Sequence, residues 1–386
     1  MKSLLKKVSL GVLTLGILAG CSSEEDTIVM APLPSVSSQF EPEQLWETSV
    51  GDGVSHYFSR LAPTFAYDKI FVASRDGVVK ALDPATGNEL WQIDVVDGSQ
   101  PRLSGGLTAA YSKVFVGSEN GDVIALNEQT GEELWRTAIQ AEVLSTPIAD
   151  AGLILLNTGN GALVALDQET GESRWTISTE VPNLTLRGAS TPVAASGGVF
   201  WGTASGRLAA AIVERGQLLW QQPVGTPKGA TEIDRLIDVD AAPLLLGSTL
   251  YTIGFNGQLI AIDLRSGQAS WKRNYSSATD MGTDGSRLFV VTDKDHLVAV
   301  DARSGTELWQ NTALEYRQLT APVVIDDYLV VADTLGYLHW LNRDTGEFVA
   351  QQLIDGSGIA VAPIRLSDGY LVVSRNGDVK KLTIKQ

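Results

Sequence analysis

Cysteine is nearly absent from this chain: Cys21 is the only one among 386 residues. Without a second thiol there is no internal disulfide and no cysteine-built metal site. Histidine is almost as scarce. His56, His296 and His339 fall in unrelated phases of the pattern described below, and none has metal-ligand spacing, so surface or strand positions account for them. Basic residues are outnumbered, 29 against 45 acidic ones, for a formal net charge of −16. Such a surface lacks the Lys/Arg patches that nucleic acid or anionic lipid requires. There is no long apolar run either. The uncharged stretch from Val8 to Leu18 is too short to cross a bilayer as a helix, and no helical pattern of useful length appears.

That stretch has another use. Lys2, Lys6 and Lys7 precede it and Leu18-Ala19-Gly20-Cys21 ends it, the layout of a secretory signal. A cysteine directly after Leu-Ala-Gly resembles a bacterial lipoprotein signal. The resemblance implies removal of residues 1–20 and lipidation of Cys21, which also takes the only thiol out of play as a nucleophile. Ser22 stands where an aspartate would favour retention in the inner membrane, so an outer-membrane anchor is implied. Cleavage removes three lysines and leaves the mature chain still more acidic; multiple acyl chains could hold it at a membrane despite that charge. Residues 21–40, with Ser-Ser-Glu-Glu-Asp, Pro32, Pro34 and a serine-rich end, show no hydrophobic period. They read as a flexible tether spanning on the order of 25 Å.

From about residue 41 onward the chain repeats. Asn120-Gly-Asp-Val-Ile-Ala-Leu-Asn127 runs into Glu-Gln-Thr-Gly131 and Glu-Glu-Leu-Trp135, and in-phase copies begin at Asp76, Asn160, Ser205, Asn256, Lys294, Leu335 and Asn376. The copies are 44, 40, 45, 51, 38, 41 and 41 residues apart, a spacing too even for chance. Individual copies drift: Ile212 replaces the acid of the fourth, Asp295 the glycine of the sixth, and Ala350 the tryptophan of the seventh. Ahead of each turn lies a β-branched run such as Lys113–Ser118, and the Asn-Gly that follows is a hairpin signal. Alternation through Leu163, Ala165 and Asp167 gives a second strand. Asp-x-x-Thr-Gly is a turn in which the carboxylate accepts backbone N–H groups and glycine takes φ > 0. Glu-x-x-Trp opens a third strand, and Thr-Pro-Ile or Thr-Pro-Val upstream a fourth, with proline near its start.

Four strands per unit of about 40 residues make a propeller blade. The expected fold is all-β, an eight-bladed β-propeller of four-stranded antiparallel blades over residues 41–386. The eighth copy stops before its last strand. Trp46 lies at tryptophan spacing with no glycine motif before it, so the strand around Leu45-Trp46 is expected to complete the blade of Asn376 to Ile384 and close the ring. The tryptophans at 91, 135, 175, 220, 271 and 309 recur in phase and are expected to pack blade against blade. Asp293, Lys294 and Asp295 sit where a hairpin turn belongs, which is the default against a calcium site.

Two stretches do not repeat: Asn183-Leu-Thr-Leu-Arg-Gly188 and Glu232-Ile-Asp-Arg-Leu-Ile-Asp-Val-Asp240. Each connects one blade's last strand to the next blade's first, so both emerge on one face in consecutive blades. Long loops on a rigid scaffold are where function concentrates. The connector from Trp220 to Pro243 is the longest of its kind; that from Trp175 to Pro192 is also long, and Trp46 to Pro63 equals it. Leu184, Leu186 and Arg187 suit an interface, although the alternating leucines also fit a short strand with one buried face. Asp238 and Asp240 could pair with basic groups on a partner or with Arg187.

The Gly-x-Leu-x-Ala-Leu-Asp-x-x-Thr-Gly-x-x-x-Trp unit resembles the PQQ-type tryptophan repeats of quinoprotein dehydrogenases and their non-enzymatic relatives, over essentially all of residues 41–386. Two expectations follow from that resemblance. A dehydrogenase would bring an adjacent cysteine pair at the quinone and a carboxylate and amide set for calcium; the cysteine pair is missing, and the acids are mostly explained by turns. The alternative is a non-catalytic scaffold without cofactor or metal. A lipoprotein signal followed by a propeller of this length resembles the scaffold lipoproteins of the outer-membrane β-barrel assembly machinery. That resemblance implies a protein anchored on the periplasmic face of the outer membrane, monomeric within its complex. It would bind the POTRA domains of the barrel-inserting subunit BamA, alongside the other subunits, and could offer open edge strands to unfolded outer-membrane protein clients. On the family's contact segments fall Leu184, Leu186 and Arg187 in the first stretch and Asp238 and Asp240 in the second.

Overall fold

A computed structural model describes residues 28–96 and 101–384. The chain divides into a short N-terminal unit, Met1–Met30, of which only residues 28–30 are described, and a second unit, Ala31–Gln386. Cys21 and the signal segment lie outside the described residues. The second unit contains eight separate four-stranded antiparallel sheets, and the architecture is the expected eight-bladed β-propeller.

The first blade shows how each unit is built. Thr64–Ala66, Lys69–Ala73, Val78–Leu82 and Glu89–Asp94 pair in sequence order from the ring axis outward. The middle strands are buried on both faces, whereas the outer strand is mostly exposed. In the turn before the outer strand, Asp83 Oδ1 accepts the N–H groups of Ala85 and Thr86 at 3.0 and 2.8 Å. The same bonds recur at Asn127, Asp167 and Asn342. The fourth unit keeps the geometry without its acid: Gly216 retains φ +64 behind Ile212.

The core is distributed over the seams between blades rather than gathered at one centre. One apolar cluster, for example, joins Phe71 and Ala81 of the first blade to Val114 and Ile124 of the second. Across seven of the eight seams the outer-strand tryptophan lies on the turn glycine of the next blade. A Cβ added to Gly131 would stand 2.6 Å from the Trp91 ring, and Gly171 and Gly305 are held as closely by Trp135 and Trp271. The indole N–H completes the joint, Trp91 Nε1 donating to Glu128 O at 3.0 Å and Trp309 Nε1 to Arg343 O at 3.0 Å. Within their own blades Trp91, Trp135, Trp220, Trp271 and Trp309 each meet an aromatic of the second strand, as Phe71 meets Trp91 with centroids 5.9 Å apart. The tryptophans therefore pack blade on blade.

Every outer strand also bulges at the residue just before the tryptophan position. In all but the seventh blade, where Val349 is buried, the extra residue turns outward: Leu90 is 49% exposed while Trp91 is 8% exposed. A bulge on every rim strand breaks the flat ladder that would otherwise invite edge-to-edge pairing.

Ring closure follows the expected route. Pro42–Ser49 pairs antiparallel with Asp378–Ile384, Trp46 opposite Lys381. The described end of the segment read as a tether is bound to the propeller. Ala31 N–H donates to Glu315 O at 2.9 Å and Gln39 N–H to Val349 O at 2.8 Å, so residues 31–40 lie against the seventh blade. Composition alone could not show this, because the surface that receives them is formed some 300 residues later in the chain.

The divergent sixth turn is indeed a turn, with Asp295 at φ +60. Its carboxylate accepts the N–H groups of Gln318 and Leu319 at 2.7 and 3.0 Å, a task that glycine could not perform. His339 sits on a buried strand beside Asp333 at 2.9 Å, and His296 meets Glu315 at 3.1 Å.

If seam packing carries the stability, Trp91→Ala should lower the unfolding free energy by about 3 kcal/mol or more. Leu90→Ala, one residue away on the exposed bulge, should change it by no more than about 0.5 kcal/mol. Urea denaturation of the two variants compares them directly.

Candidate partner-binding face

Strand direction alternates outward through each blade. The hairpins between second and third strands therefore share one face with every connector to the next blade, and both nonrepeating stretches lie there. In the first, between Ser173–Ser178 and Val193–Ala195, Leu184 is exposed and Leu186 half-buried. Leu186 N–H donates to Asp238 Oδ2 at 3.1 Å. Arg187, exposed, reaches Glu119 at 3.1 Å and Glu142 at 3.5 Å. Glu119 is also gripped by Arg75 through bonds of 3.1 and 2.9 Å, and the Arg75 guanidinium lies 3.8 Å from the centre of the Tyr57 ring.

Asp238 and Asp240 are not surface carboxylates. They are 2% and 4% exposed, and Arg187 pairs with Glu119 and Glu142 instead of with either of them. Asp238 is fixed by its own backbone, bridged to Phe255 in the hairpin of the fifth blade. Burial, and then the charge of Asp240, push the Asp238 carboxyl up to about 8, against the pull of the Leu186 N–H. Burial raises Asp240 as well, opposed by the nearby Arg60. The backbone of Gly188 packs on the Asp240 carboxylate so closely that a Cβ there would lie 2.3 Å from Oδ2. The five residues thus form two tiers, with Leu184, Leu186 and Arg187 presented outward and the two aspartates beneath fixing the loop that presents them.

Some of this face was not legible in the repeats. Arg60 crosses the mouth of the axial channel, donating to Asp240 O at 2.8 Å and to Ala278 O at 2.9 Å. Below it opens a cavity of about 820 Å³ lined by Arg60, Leu186, Arg187, Asp240 and Asp280 among others. Tyr57 and Phe58 beside it, and Ile233 on the longer loop, are 44%, 50% and 75% exposed. Tyr57, Phe58 and Arg60 all lie in the Trp46–Pro63 connector, whose length matched the Trp175–Pro192 connector; that length was the available signal. The resulting surface mixes exposed apolar side chains with fixed arginines, the composition of a protein interface.

The model of the family described as outer membrane protein assembly factor BamB matches residues 38–96, 75–311 and 279–382. The chain belongs to the BamB family. Proteins of that name from Vibrio cholerae and Escherichia coli are 67% and 41% identical to it, each alignment covering 97% or more of both chains. Among solved structures, BamB from Moraxella catarrhalis superposes with a TM-score of 0.80 at 26% identity, over 89% of this chain and 100% of that one. Quinohemoprotein alcohol dehydrogenase from Comamonas testosteroni superposes with a TM-score of 0.71 at 14% identity, over 91% of this chain and 78% of the other. At that identity the likeness is one of fold, and BamB membership carries the function: outer-membrane protein assembly.

A folded-state pKa raised above the unfolded value means that the native chain binds more protons than the unfolded one. Stability from Asp238 is then full below the ordinary aspartate range and is lost as pH rises through about 8. Urea midpoints should therefore fall between pH 5 and pH 8.5, and Asp238→Asn should flatten that decline.

Proposed function

We propose that this BamB-family chain is a non-catalytic scaffold, anchored by Cys21 to the periplasmic face of the outer membrane. Its loop face binds the periplasmic POTRA domains of BamA. The observation that carries the reading is the two-tiered site: an outward group, Leu184, Leu186 and Arg187, whose loop is fixed from below by the bond from Leu186 N–H to Asp238. A loop held in this way pays little ordering entropy on binding. The mechanism is positional, the rigid ring holding the partner's domains in the orientation that barrel insertion needs.

Within this reading the outward residues make the contact, and Asp238 and Asp240 act through the loop. The proposal follows from burial, since a carboxylate 2% exposed offers a partner almost no surface. It differs from the sequence expectation, which put all five residues at the contact. The open rim strands are a second place where extended clients could pair, but the eight bulges oppose continuous pairing there.

Capture of purified BamA periplasmic domains tests the assignment. Leu184→Ala and Arg187→Ala should each weaken capture about tenfold or more, as for residues near an interface centre. Asp238→Asn should weaken it less. Undiminished capture by folded Leu184→Ala and Arg187→Ala proteins would refute the site.

A further inference from the structure

Seven seams of the ring are closed by a tryptophan on a glycine turn, the pairs running from Trp46 on Gly87 to Trp309 on Gly346. The seam from the seventh to the eighth blade has neither partner. Ala350 holds the tryptophan position, and the outer strand of the eighth blade is supplied by Pro42–Ser49 rather than through a glycine turn after its third strand. Within the seventh blade the aromatic of the second strand is missing too, Val330 standing where Phe71 and Phe289 stand in the first and sixth. The seam is filled differently. Trp340, on the third strand, meets Tyr370 of the eighth blade with ring centroids 5.1 Å apart. Phe40 packs onto Trp340 at 5.5 Å and onto Tyr328 at 5.0 Å.

We propose that residues 31–40 are a strap that completes this eighth seam and fixes the propeller end of the tether on the loop face. Phe40 occupies the seam in place of the missing tryptophan. Beside it, Gln39 N–H donates to Val349 O at 2.8 Å, the carbonyl of the bulged rim residue, and Gln351 N–H donates to Ser38 Oγ at 3.2 Å. The far end of the strap is clamped by a buried group. Arg317, 2% exposed, donates through Nη1 to Ala31 O at 2.9 Å and through Nε to Asp333 Oδ2 at 2.8 Å. Asp333 also binds His339 at 2.9 Å, and all three side chains are buried. Burying an arginine with a single carboxylate is costly unless its other donors find partners; Ala31 O takes Nη1 from outside the repeat, while Nη2 lies 2.7 Å from the same Asp333 oxygen. Ala31 N–H in turn donates to Glu315 O at 2.9 Å.

Glu315 and Arg317 belong to the connector between the sixth and seventh blades, which lies on the same face as Leu184 and Arg187. Ten residues, Cys21 to Met30, then separate the lipidation position from the strap, a reach of at most about 35 Å. The strap takes up half of the stretch that composition assigns to a tether and begins on the loop face; the identity of that face as the partner's rests on the proposed function, whereas the strap does not.

Hydrogen exchange on the mature full-length protein, without any partner, tests the strap. The amides of Ala31 and Gln39 should exchange about a hundredfold or more slower than in an unstructured peptide. Phe40→Ala should accelerate both at least about tenfold while leaving the strand Leu153–Asn157 at the opposite seam unchanged. Ser38→Ala removes the acceptor of the Gln351 N–H without touching Phe40 or the buried group; it should speed exchange at Gln351 and leave Ala31 protected, and it serves if Phe40→Ala does not fold. Exchange of residues 31–40 at unstructured rates in the unsubstituted protein would overturn the proposal, as would unchanged exchange in Phe40→Ala. Loss of BamA capture would leave these rates as they are, so the two readings fail separately.

Discussion

Everything in this molecule depends on one joint, an indole ring laid over a turn glycine of the neighbouring blade. The joint is specific at both ends. The glycine has φ near +70 and no room for a Cβ beneath the ring, so a residue allowed at that backbone conformation and small enough for that contact can only be glycine. The indole brings a large apolar face and an N–H that finds a carbonyl in the same turn. Since each blade buries its faces only against its neighbours, stability passes seam by seam around the ring. A linear repeat can end in capping units, but a ring must close on itself. That requirement accounts for the two pieces of N-terminal chain that do not repeat: the strand Pro42–Ser49, which completes a sheet, and the segment before it, which fills the seam beside that sheet.

The repeat made the architecture legible. Its period, turn chemistry and phased tryptophans are local signals, and the structure places them as local physics requires. Features that depend on distant parts of the chain were not legible. Phe40 sits in a serine-rich stretch, and its pocket is made by Tyr328 and Trp340. Asp238 and Asp240 read as exposed acids because charged residues in long loops usually are. Their burial comes from the stacking of three connectors, one of which carries Arg60 from the other side of the channel mouth. Arg187 and its loop could be found because they interrupt the repeat, whereas Tyr57 and Phe58 lie in a connector whose length alone marked it.

The same fold supports a quinohemoprotein dehydrogenase and a barrel-assembly factor. The difference lies in what the ring is used to display. Here the loop face presents an apolar and cationic group over a floor of buried carboxylates, and the rim strands are blunted by bulges. A scaffold of this kind contributes rigidity, since its loops are tied to one another and to hairpins beneath them before any partner arrives. Binding then costs little reorganisation.

Central to the account is that one face of the ring, and not its rim or its other face, meets the assembly machinery. The most direct measurement is a hydrogen-exchange footprint of the whole protein with and without the BamA periplasmic domains. The account predicts new protection confined to the connectors around residues 54–60, 183–187 and 231–236, with the Asp-x-x-Thr-Gly turns on the opposite face unchanged. Protection centred on those turns, or along the rim strands, would contradict it.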